Sequence, residues 1–248
     1  MNIDPHELAR RAVLAFVLEA SCPKEACTSR YADIGPKQRF EDFLVSAVNS
    51  SRHFYELGVR IREEHGQPRV FYDLAHQAMM ESQRSRSGKI VNYGLLEAMF
   101  PVAVSRSTRA DDGLSALAGV PEVLRATSRE DVEYVAEMRR VIYSRSDKAF
   151  KREFAFHTEG TNVFEHYEHH RTVAHEASRL FVSELLDGMP LTAGMYRVIS
   201  KTDGSLAERI ASGFRAARQR TSLPAGAVAD FTAVAIYLAL SDGVTAEF

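Results

Sequence analysis

Apolar residues in this sequence recur every three or four positions, segment after segment. That spacing places them on one face of a helix. Leu8, Ala12, Val13, Phe16 and Val17 set the pattern after Asp4-Pro5, a good N-cap followed by proline at the first helical position. Phe40, Phe43, Leu44, Ala47, Val48, Leu57 and Ile61 predict a second long helix, ended by Gly66 and Pro68. Val70, Leu74 and Ala78 mark a third, and Leu95, Leu96, Met99 and Phe100 a fourth, which Pro101 can kink. Thr127-Ser128-Arg129-Glu130 predicts a capping box opening a helix through Val132, Val135, Met138 and Val141. Residues 161–186 are predicted as one long helix ended by Asp187-Gly188, with 205–220 and 227–240 as the last two. Alternating, β-branched strand patterning is absent. The expected fold is all-α, a single globular multi-helix domain over residues 1–248.

Charge narrows the partners. With 31 Lys and Arg against 33 Asp and Glu, the formal charge is -2. A nucleic-acid binder needs a basic face to displace counterions, so none is expected. The longest apolar run, near residues 12–18, falls far short of the ~20 residues of a membrane span. The first residues lack a basic stretch followed by an apolar one, which predicts a cytoplasmic protein. Cys22 and Cys27 have neither redox nor zinc spacing and are expected to be reduced thiols.

Two features invite a chemical role. His166 and His170 stand four apart, close enough on a helix to share a metal. The segment lacks the His-Glu-x-x-His order, however, and His170 lines up with Val163, Tyr167, Ala174, Ala177 and Phe181. It is expected on the buried stripe, and no metal is expected there. Ser105-Arg106-Ser107 and Ser144-Arg145-Ser146 combine hydroxyl and guanidinium groups suited to phosphate, but no P-loop or dinucleotide fingerprint is present.

Word order says more. Leu18-Glu19-Ala20-Ser21-Cys22-Pro23-Lys24, then Phe40-Glu41-Asp42-Phe43-Leu44-Val45-Ser46-Ala47, resemble successive segments of the triphosphoribosyl-dephospho-CoA synthase family. Val91-Asn92-Tyr93-Gly94-Leu95-Leu96, the stretch from Val123 through Glu130-Asp131 to Val132, and residues 203–211 resemble three further family segments in the same order. The resemblance implies an all-helical fold and a pentosyl transfer. The ribose of ATP, with its triphosphate, is joined to the 2′-hydroxyl of 3′-dephospho-CoA, and adenine is released. Such chemistry needs an acid for the leaving base, a base for the hydroxyl, and Mg²⁺ or cations on the triphosphate.

Residue by residue, the resemblance carries Asp147 and Asp203 as catalytic acids and Lys24, Asn92, Gly94 and Arg209 as nucleotide or phosphate contacts. It implies Mg²⁺ with a nucleoside triphosphate, a nucleotide or phosphorylated cofactor precursor as substrate, and a homo-oligomer or protein partner as a further option. Departures mark a divergent member. Glu25-Ala26-Cys27 stands where the family has Pro-Gly-Asn, Ile90-Val91 replaces Asn-Thr, the Pro-Gly-Gly-Leu-Gly loop is missing, and Glu208 replaces an arginine. Three functions are compatible with these changes. They are a divergent transferase using ATP, a repurposed member serving another, one-carbon carrier cofactor, and a non-catalytic binding or assembly subunit.

Overall fold

The Asp4 carboxylate accepts the His6 backbone N–H at 2.9 Å, and with Pro5 behind it the first helix starts where its sequence says. The computed structural model describes residues 4–33, 38–82, 90–108, 111–144, 158–201 and 203–245. Among these the helices are α1 (Pro5–Ser21), α2 (Phe40–Glu63), α3 (Tyr72–Ser82), α4 (Tyr93–Thr108), α5 (Gly113–Ala118), α6 (Val120–Arg125), α7 (Arg129–Ser144), α8 (Val163–Val173), α9 (Glu176–Leu186), α10 (Pro190–Lys201), α11 (Leu206–Arg218) and α12 (Ala225–Ser241). No strand occurs among the described residues beyond an isolated bridge between Ser29 and Ala32. The fold is all-α.

The last helix organises the rest. Every residue of α12 from Phe231 to Leu240 is buried, and a helix apolar all round belongs at the centre of a bundle. It packs against α1, α4, α10 and α11, while α1 pairs with α2, α2 with α3, and α3 with α4 and α7. Aromatic rings fix these junctions: Phe16 meets Phe54 edge-on at 5.7 Å, Phe54 meets Phe100 at 4.7 Å, and Phe181 stacks on Phe231 at 4.9 Å. Burying each such ring contributes about 2–3 kcal/mol. No helix among the described residues is long and apolar enough to cross a membrane.

Two expectations need correction. Residues 161–186 do not form one helix. The chain breaks at Ala174-His175, and His175 caps the new helix by accepting the Ser178 N–H on Nδ1 at 3.4 Å. The capping box before α7 is one residue later than expected. Ser128 is the cap and Asp131, not Glu130, answers it, with its carboxylate accepting the Ser128 N–H at 3.1 Å. Asp131 is fully buried and also accepts the N–H groups of Phe71 and Tyr72 at 3.0 and 2.9 Å. One carboxylate thus ties the starts of α3 and α7 together.

Pro101 lies inside α4, where it leaves the carbonyl four residues back, that of Glu97, without its helical donor. The Tyr72 hydroxyl supplies the missing bond at 3.3 Å. The structure therefore carries a proline in mid-helix beside the most polar part of its core.

Candidate active site

The segment after α1 doubles back on itself through Lys24. Its side chain is fully buried, with Nζ 3.0 Å from Glu19 Oε1 and donating to the carbonyls of Cys22, at 2.9 Å, and Glu19. A buried ammonium persists only when its charge and all its donors are met. Burial pushes the Glu19 carboxyl up, and Lys24 opposes that shift. Ala26 follows with φ +57°, the left-handed region that glycine adopts freely. The resemblance places glycine at this point, where Ala26 takes up the conformation without glycine's freedom. Cys27, in place of the family's asparagine, lines the cleft beyond, its thiol pushed up to about 12 by burial and by the nearby Glu19 charge.

That cleft opens at the start of α4. Glu19, Cys27, Asn92, Gly94 and Asp230 line a first chamber of about 320 Å³. Asn92 is the residue before α4 and holds φ +60°, a conformation asparagine tolerates better than most side chains. It is 7% exposed, and its amide Nδ2 has no hydrogen-bond partner. An unpaired buried donor costs about 1–3 kcal/mol, which a ligand acceptor would recover.

Asp230 was not anticipated from sequence. Its carboxyl accepts the Leu95 backbone N–H and is pushed well above the usual carboxylate range by burial, with the Glu19 charge adding to it. Gly94 leaves the room it needs: a Cβ there would collide with Asp230 Oδ2 and stand 3.0 Å from Phe181.

Beside this chamber lies a second recess of about 210 Å³, which shares Tyr93, Gly94, Ile142 and Asp230 with the first chamber. Glu97 and Arg139 line its polar side, 1% and 2% exposed. Glu97 Oε1 accepts from Arg139 Nε at 3.1 Å, from Arg139 Nη2, and from the Tyr167 hydroxyl at 2.7 Å. Glu97 Oε2 is buried with no partner.

The structure brings Asn92 and Gly94 to this cleft, leaves Lys24 off its lining as the buried ion-pair partner of Glu19, and sets others apart. Asp203 is exposed in the turn between α10 and α11. Arg209 Nη1 donates to the Ile199 carbonyl at 2.8 Å, closing the C-terminal end of α10. Neither lines the first chamber or the recess. Asp147, the Arg145 and Ser146 of the second Ser-Arg-Ser tripeptide and the expected glycine-loop position lie outside the described residues.

His166 and His170 are both buried, with ring centroids 4.9 Å apart. Burial, aided by the Arg139 charge, pushes His166 down to about 3, so it is neutral at physiological pH. No group of three or more metal-ligating side chains is found among the described residues. Two wider grooves, about 600 Å³ between α9, α10 and α11 and about 690 Å³ between α1 and α2, contain none of the residues carried by the resemblance. The smaller cleft joins Asn92 and Gly94 to the unpaired buried atoms Asn92 Nδ2 and Glu97 Oε2.

An all-helical domain with a polar cleft at the start of a buried helix is the class of protein found here, and it has known relatives. A crystal structure described as that of a triphosphoribosyl-dephospho-CoA synthase from Archaeoglobus fulgidus shares the fold, with a TM-score of 0.53 at 20% identity over 81% of this chain and 99% of that one. The chain belongs to the ATP:dephospho-CoA triphosphoribosyl transferase family, whose model matches residues 5–214. A search of curated proteins finds no significant match.

Proposed function

We propose that this protein transfers the triphosphoribosyl group of ATP to the 2′-hydroxyl of dephospho-CoA or a related phosphorylated cofactor precursor. The observation that carries it is Asp230, a buried carboxyl with a raised pKa that lines two neighbouring chambers. In the reaction the bond from ribose C1′ to the adenine nitrogen breaks and a bond from C1′ to the acceptor oxygen forms. The acceptor hydroxyl loses a proton and the departing adenine gains one. A carboxyl whose proton is held more firmly by burial can give that proton and recover it from the attacking hydroxyl.

Oxygen donors on Glu19 and Asn92 in the first chamber fit the requirements of Mg²⁺, which takes one or two carboxylates alongside substrate phosphates. Bound there, the ion would neutralise charge on the triphosphate. Lys24 holds the Glu19 carboxylate in place, and Asn92 offers its unpaired Nδ2 donor to a phosphate or sugar oxygen.

The test is adenine release. Purified protein is incubated with Mg-ATP and dephospho-CoA, and adenine and the mass of the product are measured. Acceptor-dependent release is expected, reduced at least a hundredfold by Asp230→Asn. Release with another phosphorylated precursor but not with dephospho-CoA would move the acceptor. Absence of both turnover and ATP binding would leave the binding-subunit reading.

A further inference from the structure

We propose that the second recess is a base pocket that selects adenine by accepting its 6-amino group on Glu97 Oε2. This rests on the reading of the cleft as a site for ATP and assigns one of its two chambers. Glu97 Oε2 is an acceptor sealed in the core without a donor, on a side chain 1% exposed that lines the recess. The partners of Oε1 fix the carboxylate's orientation: Arg139 and Tyr167 take that oxygen and leave the other unpaired.

His175 and Ser178 add to the polar side, and the remaining walls are flat or apolar. Tyr93, Phe181, Pro224 and Ala227 line them, and Phe181 is held by its stack on Phe231. Apolar walls with a few fixed polar groups are what a heteroaromatic ring requires. At about 210 Å³ the recess suits one base, while sugar and phosphates need the first chamber. Asp230 lines both and stands where the base meets the ribose.

Selectivity follows from the charge on Glu97. A 6-oxopurine would set a carbonyl oxygen against a carboxylate oxygen, leaving two acceptors facing each other without a proton. Sites built around one buried polar partner reject the analogue that cannot pair with it.

The experiment uses the intact protein with free bases, so it does not depend on turnover. Adenine should raise the melting temperature and bind at least tenfold tighter than hypoxanthine by calorimetry. In Glu97→Gln the donors on Oε1 retain the amide oxygen there, so the amide NH₂ takes the place of Oε2. That variant should reverse the preference towards hypoxanthine. Should it fail to fold, Ala227→Phe, at a partly buried wall position, fills the recess from the side and should abolish adenine binding while helicity is retained. Equal affinity of the wild type for the two bases, or adenine binding unaffected by Ala227→Phe, would overturn the assignment. Adenine binding without pentosyl transfer would sink only the reaction proposed above.

Discussion

Asp230 Oδ2 occupies the space that a side chain on residue 94 would need. A carboxyl from another helix therefore gives position 94 its own reason to be glycine. Glycine at the second position of α4 is also a local weakness, since alanine is about 1 kcal/mol better inside a helix.

Gly94→Ala sets these terms against each other. Overpacking costs about 1–3 kcal/mol and helix propensity returns about 1, so the variant should lose about 1 kcal/mol by urea unfolding. Adenine release should fall much further, by tenfold or more, because the methyl group displaces the Asp230 carboxyl. An equally active variant would remove Asp230 from the chemistry.

Ala26 is the converse case. A non-glycine residue at φ +57° bears about 1–2 kcal/mol of strain, and glycine adds back somewhat less through the entropy of the unfolded chain. Ala26→Gly should thus stabilise by about 0.5–1 kcal/mol and raise the melting temperature by about 2 °C. A lower melting temperature would mean that the turn does not hold this conformation in solution.

Helices were legible in the sequence because their apolar period is local. The break at Ala174-His175 was not, since it has no glycine or proline and depends on an imidazole acting as cap. The site was only partly legible. Lys24, Asn92 and Gly94 came from motif order, and Glu19 stands in the same segment as its partner Lys24, whereas Glu97 and Asp230 matter through neighbours distant in the chain. A signal for the last two was available. Asp230 is the one acid in α12, and Glu97 is the one acid in α4. A charge inside an otherwise apolar helix must have a partner or a task.

His166 carries an acid-stability prediction. Its folded pKa, about 3, lies below the ordinary value of 6.5, so between these pH values the unfolded chain binds the proton that the folded chain refuses. The stability His166 contributes is complete above 6.5 and is lost as pH falls, by up to ~1.4 kcal/mol per pH unit. His166→Gln should flatten the decline in unfolding free energy between pH 6.5 and 4. Metal analysis of the wild type should find no stoichiometric zinc or iron; metal that disappears when His166 and His170 are changed together would contradict this.

Asp230 shows the opposite sign. Its folded pKa lies well above 3.8, so its favourable contribution is complete below pH 3.8 and is lost as pH rises towards the folded value. At neutral pH the buried carboxyl is therefore a burden on the fold, set there by desolvation and by Glu19. Asn at this position keeps an oxygen for the Leu95 N–H and removes the titration. Asp230→Asn should be more stable than the wild type at pH 7, and the difference should shrink as pH approaches 3.8. Catalysis should move the other way, because an amide cannot give a proton to a departing base. Urea unfolding across that pH range, with adenine release measured on the same samples, separates the two effects. A variant that is less stable at pH 7 would show that the carboxyl is satisfied within the fold and has no proton to spare for a substrate.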